Sequence, residues 1–254
     1  MLEIQRLTKR FNGLPAVDDV SFAIRPGEIL GYVGPNGAGK STTFKMIIGL
    51  LEPSEGRIVY DGRSVLDDLP GFQRRLGYVP EEPNLYPFLS GREYLQLAGR
   101  LRGISRAALD RKIEGFLTLF SLWDDRDCPV SSYSKGMRQK ILISAALLDN
   151  PDVLILDEPL SGLDASTMIA VRELLQGLAA QGRTILYSSH VLDVMEKVCA
   201  RVLILRKGRV LAYDSIEHLR ASLDQPSLEG VFTRVTQEEG KQDLAGRILE
   251  AMRR

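Results

Sequence analysis

The chain has 254 residues, 44% of them hydrophobic, which suits one large domain or one domain with a grafted lobe. Its 33 basic residues balance 33 acidic ones, so no global field draws it to nucleic acid or to an anionic membrane. The two cysteines, Cys128 and Cys199, stand far apart without metal-ligand spacing, which excludes a disulfide framework or zinc site and suits a reducing compartment.

The N-terminal MLEIQRLTKR opens with charge and has no apolar run ahead of a small-residue cleavage site, so no secretory signal is expected. Apolar runs such as ILISAALL at 141–148 fall far short of the roughly 20 residues a bilayer span requires, and the chain reads as cytosolic. Short β-like runs, LEIQRL and then VSFAI, precede EILGYV at 28–33, and a glycine-rich turn leads into STTFKMIIGLL with apolar residues at helical spacing. EGRIVYDGR predicts a strand and turn, and RLGYV at 75–79 another strand. From about Gly91 to Phe120 the residues favour helix and predict a helical lobe. Then follow SKGMRQKILISAALL (helix), VLILD (strand), SGLDASTMIAVRELLQGLAAQG (helix), RTILYSSH (strand) and VLDVMEKVC (helix). Strands alternating with helices argue for an α/β fold with a mainly parallel sheet covered on both faces, and VLIL and TILY are the continuous apolar runs of doubly buried strands. RVLILRKGRVLAY predicts a hairpin turning at Lys207 and Gly208. Beyond Pro226 the sequence becomes polar, and QEEGKQDLAGRILEAMRR predicts a terminal helix.

Between a strand and a helix, GPNGAGKST matches G-x-x-x-x-G-K-[ST] in full. Gly34, Pro35, Asn36, Gly37, Ala38, Gly39, Lys40, Ser41 and Thr42 are therefore candidates to bind a polyphosphate. Glycines let successive backbone N–H groups turn toward one anion, the helix presents its positive end, Lys40 reaches the outer phosphates and Ser41 offers a hydroxyl to Mg2+. VLILDE then places Asp157 and Glu158 at the carboxyl end of a buried strand, the edge where α/β proteins bind ligands. Asp157 is the candidate metal partner and Glu158 the general base for an attacking water. His190, after the strand TILYSS, is expected at the same edge.

YSKGMRQK at 133–140, lying between that cradle and VLILDEP, resembles the signature of ATP-binding cassette (ABC) ATPases. SGLD (161–164), GYVPE (77–81) and SSH (188–190) complete the family's order over roughly residues 2–220. The chain resembles the nucleotide-binding subunit of an ABC transporter, closest to bacterial exporters of the drug and antibiotic-resistance type. The resemblance implies a P-loop NTPase core with an antiparallel β subdomain and a helical subdomain: an ATPase domain over 2–220 with a helical lobe inserted at about 82–150, and an extension over 221–254. It implies ATP and Mg2+ as cofactors, a transmembrane permease and a second ATP-binding subunit (the same or a different chain) as partners, and a place on the cytoplasmic face of the membrane. The implied activity is ATP-driven closure of the subunit pair coupled to transport, with export as its direction. The alternative is an ABC ATPase acting on nucleic acid or the ribosome, which the neutral charge, the lack of a long heptad insertion and the single cassette disfavour.

By the same resemblance Phe11 matches the aromatic that stacks on adenine, with Val17 beside it, and Ser134 and Gly136 match positions that meet the γ-phosphate held by the opposite subunit. Asp164 links the two sites, His190 is the switch histidine and Glu81 is a metal contact. Glu81 stands where the family usually has glutamine, and Lys135 and Met137 replace a glycine and a glutamine of the common form. The segment from about 82 to 130, with NLYPFLSGREYL, is the implied receptor for a helix of the membrane subunit.

Overall fold

A computed structural model describes residues 1–236 and Met252. In chain order its strands are β1 (Leu2–Phe11), β2 (Leu14–Ile24), β3 (Ile29–Val33), β4 (Glu55–Tyr60), β5 (Arg63–Ser64), β6 (Leu76–Val79), β7 (Val153–Asp157), β8 (Thr184–Ser188), β9 (Arg201–Arg206) and β10 (Arg209–Ser215). The α-helices are α1 (Lys40–Ile47), α2 (Leu69–Arg74), α3 (Gly91–Leu101), α4 (Arg106–Leu119), α5 (Lys135–Leu147), α6 (Ala165–Ala180), α7 (Leu192–Val198), α8 (Ile216–Ser222) and α9 (Leu228–Thr236).

The strands form two sheets. One is antiparallel, in the order β2-β1-β4-β5; the other runs β10-β9-β3-β8-β7-β6 and is parallel except for β10. β3, β7 and β8 are buried at every residue, as their unbroken apolar sequences predict. Side chains alternate across this sheet: Val153, Ile155 and Leu186 pack with Phe44 and Ile47 of α1 on one face, whereas Leu154, Leu156, Ile185 and Tyr187 pack with α6 and α7 on the other. α3, α4 and α5 enclose a third cluster around Leu95, Leu109, Ile113 and Ile141. Ser90 caps α3 in a reciprocal pair with Glu93, each side chain bonding the other's backbone N–H, which fixes where the lobe begins.

Three features differ from the sequence expectation. β1 and β2 outrun LEIQRL and VSFAI because the backbone ladder continues through polar residues to Phe11 opposite Leu14. α1 stops at Ile47, where Gly49 at φ 78° lets the amides of Leu50 and Leu51 close onto the Lys45 carbonyl. The boundary expected at 220/221 falls inside α8, and α9 buries Leu228 and Val231 in the main core, so the folded unit continues to Thr236. The apolar spacing of LEGVFTRV was hidden by its polar flanks. The expected terminal helix over 237–254 lies outside the described residues apart from Met252, which is helical.

Candidate active site

The carboxyl ends of β3, β7 and β8 meet at a cleft of about 650 Å³, lined by Ala16, residues 36–42, Glu81, Asp157, Glu158 and His190. Residues 36–39, in the turn from β3 into α1, form its floor. At Gly39, the residue that opens α1, φ is 108°, and a Cβ there would lie 2.6 Å from the Ala16 carbonyl oxygen, so a side chain is excluded by conformation and by space. No side chain caps this helix, leaving its first amides and its positive end directed at the cleft. Thr43 ties the first turn down: its hydroxyl donates to the Gly39 carbonyl at 3.0 Å and accepts from the buried Tyr32 hydroxyl at 3.1 Å.

Lys40 folds back so that Nζ donates to the carbonyls of Gly34 at 2.6 Å and Pro35 at 3.3 Å. Gly34 and Pro35 thus hold the lysine from beneath and do not line the cleft. Asp157 is 2% exposed and accepts from Ser41 Oγ at 3.2 Å and Ser188 Oγ at 2.5 Å. The parallel register Asp157↔Ser188 is what brings that serine to it. Burial, then the negative charges of Asp157 and Glu81, push the nearby Tyr78 phenol up to about 12.

Glu158 sits one residue past β7 at φ 49°, the left-handed region that glutamate rarely occupies, at a cost of order 1–3 kcal/mol. Its amide donates to the Ser188 carbonyl at 3.2 Å, so β8 holds the turn. The carboxylate, in a residue 8% exposed, faces His190 Nδ1 at 2.9 Å and accepts from Ser189 Oγ at 3.3 Å. The imidazole is largely exposed and lines the cleft.

The donor set fits Mg2+. A hydroxyl and a buried carboxylate 3.2 Å apart, with Glu81 in the same cleft, supply hard oxygens. Among the described residues no three of His, Cys, Asp or Glu gather to hold an ion alone. Mg2+ takes its shell in this way, from one or two carboxylates plus waters and substrate phosphates.

The remaining candidates lie elsewhere. Val17 is a correction: its side chain is fully buried in the core beneath the loop, 3.2 Å from where a Gly39 Cβ would stand, and its neighbour Ala16 lines the cleft instead. Phe11, at the end of β1, is 49% exposed with Lys9 Nζ 5.6 Å from its ring centre, so it is neither core nor part of the cleft wall. Ser134 caps α5, accepting from the Met137 amide at 3.2 Å. A Cβ on Gly136 would meet the Gly162 carbonyl at 2.4 Å, so α5 and the segment 161–164 are in backbone contact there. Lys135 reaches Ser161 at 2.7 Å, and Lys140 reaches Asp164 at 3.3 Å. Hydrogen bonds from Ser166 and Thr167, with Lys140 adding, hold the Asp164 carboxyl well below the usual carboxylate range. Ser134, Gly136 and Asp164 form one unit that does not line the cleft. Sequence reasoning gave no role to Ala16, Tyr78, Ser188 or Ser189; the pair SS after an apolar strand was the available signal.

The family model described as ABC transporter matches residues 17–161. The chain is 36% identical to "ABC transporter ATP-binding protein NatA" of Bacillus subtilis over 91% of this chain and 96% of that one. It is 35% identical to "Nod factor export ATP-binding protein I" of Ralstonia nicotianae over 84% of this chain and 66% of the relative. The solved dimeric post-hydrolysis state of the ATP-binding cassette MJ0796, bound to ADP and Pi, superposes with a TM-score of 0.78 at 26% identity, covering 85% of this chain and 98% of that one.

Proposed function

The chain belongs to the ABC transporter family as an ATP-binding, ATP-hydrolysing subunit, and we propose that it exports a substrate through a separate membrane subunit, with Glu158 as the general base of hydrolysis. One observation carries the reading: uncapped helix amides, a lysine, a serine–aspartate pair and a glutamate–histidine pair converge on one cleft. The triphosphate lies against residues 36–42. Lys40 leaves the two carbonyls for the outer phosphates, exchanging neutral acceptors for charged oxygens. Mg2+, held by Ser41 and Asp157 with Glu81 nearby, supplies charge neutralisation on the phosphates. Glu158 takes the proton of the water that attacks the γ-phosphorus, the bond to the β-phosphate oxygen breaks, and ADP and phosphate leave. His190 keeps the Glu158 carboxylate aimed.

A second ATP-binding subunit completes the site. Supporting this, Ser134, Gly136 and Asp164 are braced as one unit away from this chain's own cleft. The Ser134 cap places a hydroxyl at a helix start, a ready anion site for a neighbour's γ-phosphate. No helix among the described residues is long and apolar enough to cross a membrane; in this reading a separate subunit spans the bilayer and this chain sits on its cytoplasmic face. The export direction is supported by the name of the Ralstonia relative. Specific ATPase activity measured against protein concentration tests the paired site: it rises as subunits associate, and a rate per molecule that stays flat from the most dilute samples refutes the pairing.

A further inference from the structure

Tyr187 is the one tyrosine in the apolar run of β8, and the hydrolysis described above gives it no task. It is 0% exposed, and its hydroxyl has no hydrogen-bond partner among the described residues. A buried donor without a partner is costly, and phenylalanine would fill the same space without that cost. What the hydroxyl faces is therefore informative.

Strand alternation sorts the site into two networks. Asp157 and Ser188 are paired in register, and Asp157 accepts from both Ser188 and Ser41, on the side of α1. Tyr187 and its register partner Leu156 face the opposite side, toward α6 and α7, and Ser189 and Glu158 lie just past the ends of β8 and β7, where the Glu158 amide still donates to the Ser188 carbonyl. Just beyond the strand ends Ser189 Oγ donates to Glu158 Oε2 at 3.3 Å and accepts from the Val191 amide at 3.1 Å. A serine oxygen has two acceptor sites, so one remains. Burial pushes the Tyr187 phenol up, with the Cys199 thiol adding; the nearby Ser189 hydroxyl opposes this, the Glu158 carboxylate adds, and Arg172 opposes. Ser189 is thus a close neighbour of the phenol without meeting hydrogen-bond geometry here.

We infer that Tyr187 is a positioning residue for hydrolysis: its hydroxyl donates to the free acceptor site of Ser189, completing a buried relay Tyr187 Oη–H to Ser189 Oγ–H to Glu158 Oε2 when the segment 189–191 shifts during turnover. The relay polarises the Ser189 hydroxyl and shortens its long bond to Glu158, fixing the carboxylate from behind while His190 holds it from the mouth of the cleft. The inference rests on Glu158 being the base.

The test is ATP hydrolysis by the full chain at fixed concentration, comparing Tyr187→Phe, Ser189→Ala, the double variant and Glu158→Gln. Tyr187→Phe is expected to melt no lower than the unsubstituted chain and to lose about fivefold in kcat with KM for ATP unchanged, the scale of one hydrogen bond. Ser189→Ala should lose at least as much, and the double variant no more than the worse single one, because the two hydroxyls act in series. A kcat for Tyr187→Phe reduced less than threefold, a loss confined to KM, or losses that multiply in the double variant would each overturn the relay. If Glu158→Gln keeps its turnover, the base assignment itself has failed, an outcome separate from these.

Discussion

Replacing Glu158 by glutamine isolates proton transfer from everything else the residue does. The amide has nearly the same volume, so the 8% exposed site is neither emptied nor overfilled, and its oxygen can still accept from His190 Nδ1, now at 2.9 Å, and from Ser189 Oγ, now at 3.3 Å. Glutamine meets the same backbone cost at φ 49° as glutamate does, so the turn after β7 is unchanged. What disappears is the proton affinity and one negative charge beside the phosphates. A positioned base contributes about 10²–10⁴-fold, or about 2.7–5.4 kcal/mol of barrier at 1.36 kcal/mol per decade. The expected result is a kcat lower by that factor, with ATP bound as tightly or more tightly because a like charge has gone. Phosphate release in a single turnover gives the first quantity and titration with a fluorescent ATP analogue the second. Turnover within fivefold of the parent would refute the base assignment. An affinity loss equal to the rate loss would show that Glu158 holds substrate rather than its proton.

Lys40→Ala removes the nearest cation from the outer phosphates and should weaken ATP binding by about 10–100-fold, the worth of a charge-assisted hydrogen bond; calorimetric titration at wild-type affinity would contradict its role. Val17→Ala should lower unfolding stability by about 1–3 kcal/mol, since the side chain is fully buried, while the folded protein keeps its ATP affinity; a clean affinity loss without destabilisation would return Val17 to the site. Phe11→Ala should cost about 1–3 kcal/mol of ATP affinity if the ring stacks on adenine, with little change in melting because the residue is 49% exposed; an unchanged titration would leave the ring without that task.

The cradle was legible because its residues are contiguous: nine positions in one turn carry the glycines, the lysine and the hydroxyl, and a strand–loop–helix context suffices to orient them. Asp157, Glu158 and His190 were legible because each follows a buried apolar strand, and in a parallel sheet such strand ends share one edge. Val17 was misread because an alternating strand hides which of two neighbours points inward; here Ala16 faces the cleft and Val17 the core. The end of the folded unit was misread because α9 buries only a narrow stripe, Leu228 and Val231, inside a polar stretch.

Local chemistry, then, is written in the chain: backbone amides, a lysine, a hydroxyl and acids at fixed short spacings dictate a polyphosphate site wherever the fold places them. Pairings across the sheet are not. That Ser188 meets Asp157, that Ser189 and His190 meet Glu158, and that α5 presses on the 161–164 turn depend on register and close packing between segments about 26 to 32 residues apart. Those contacts exist only once the hydrophobic faces of the strands and helices have fixed their relative positions, because the burial that sets register is a property of the assembled layers and not of any one segment.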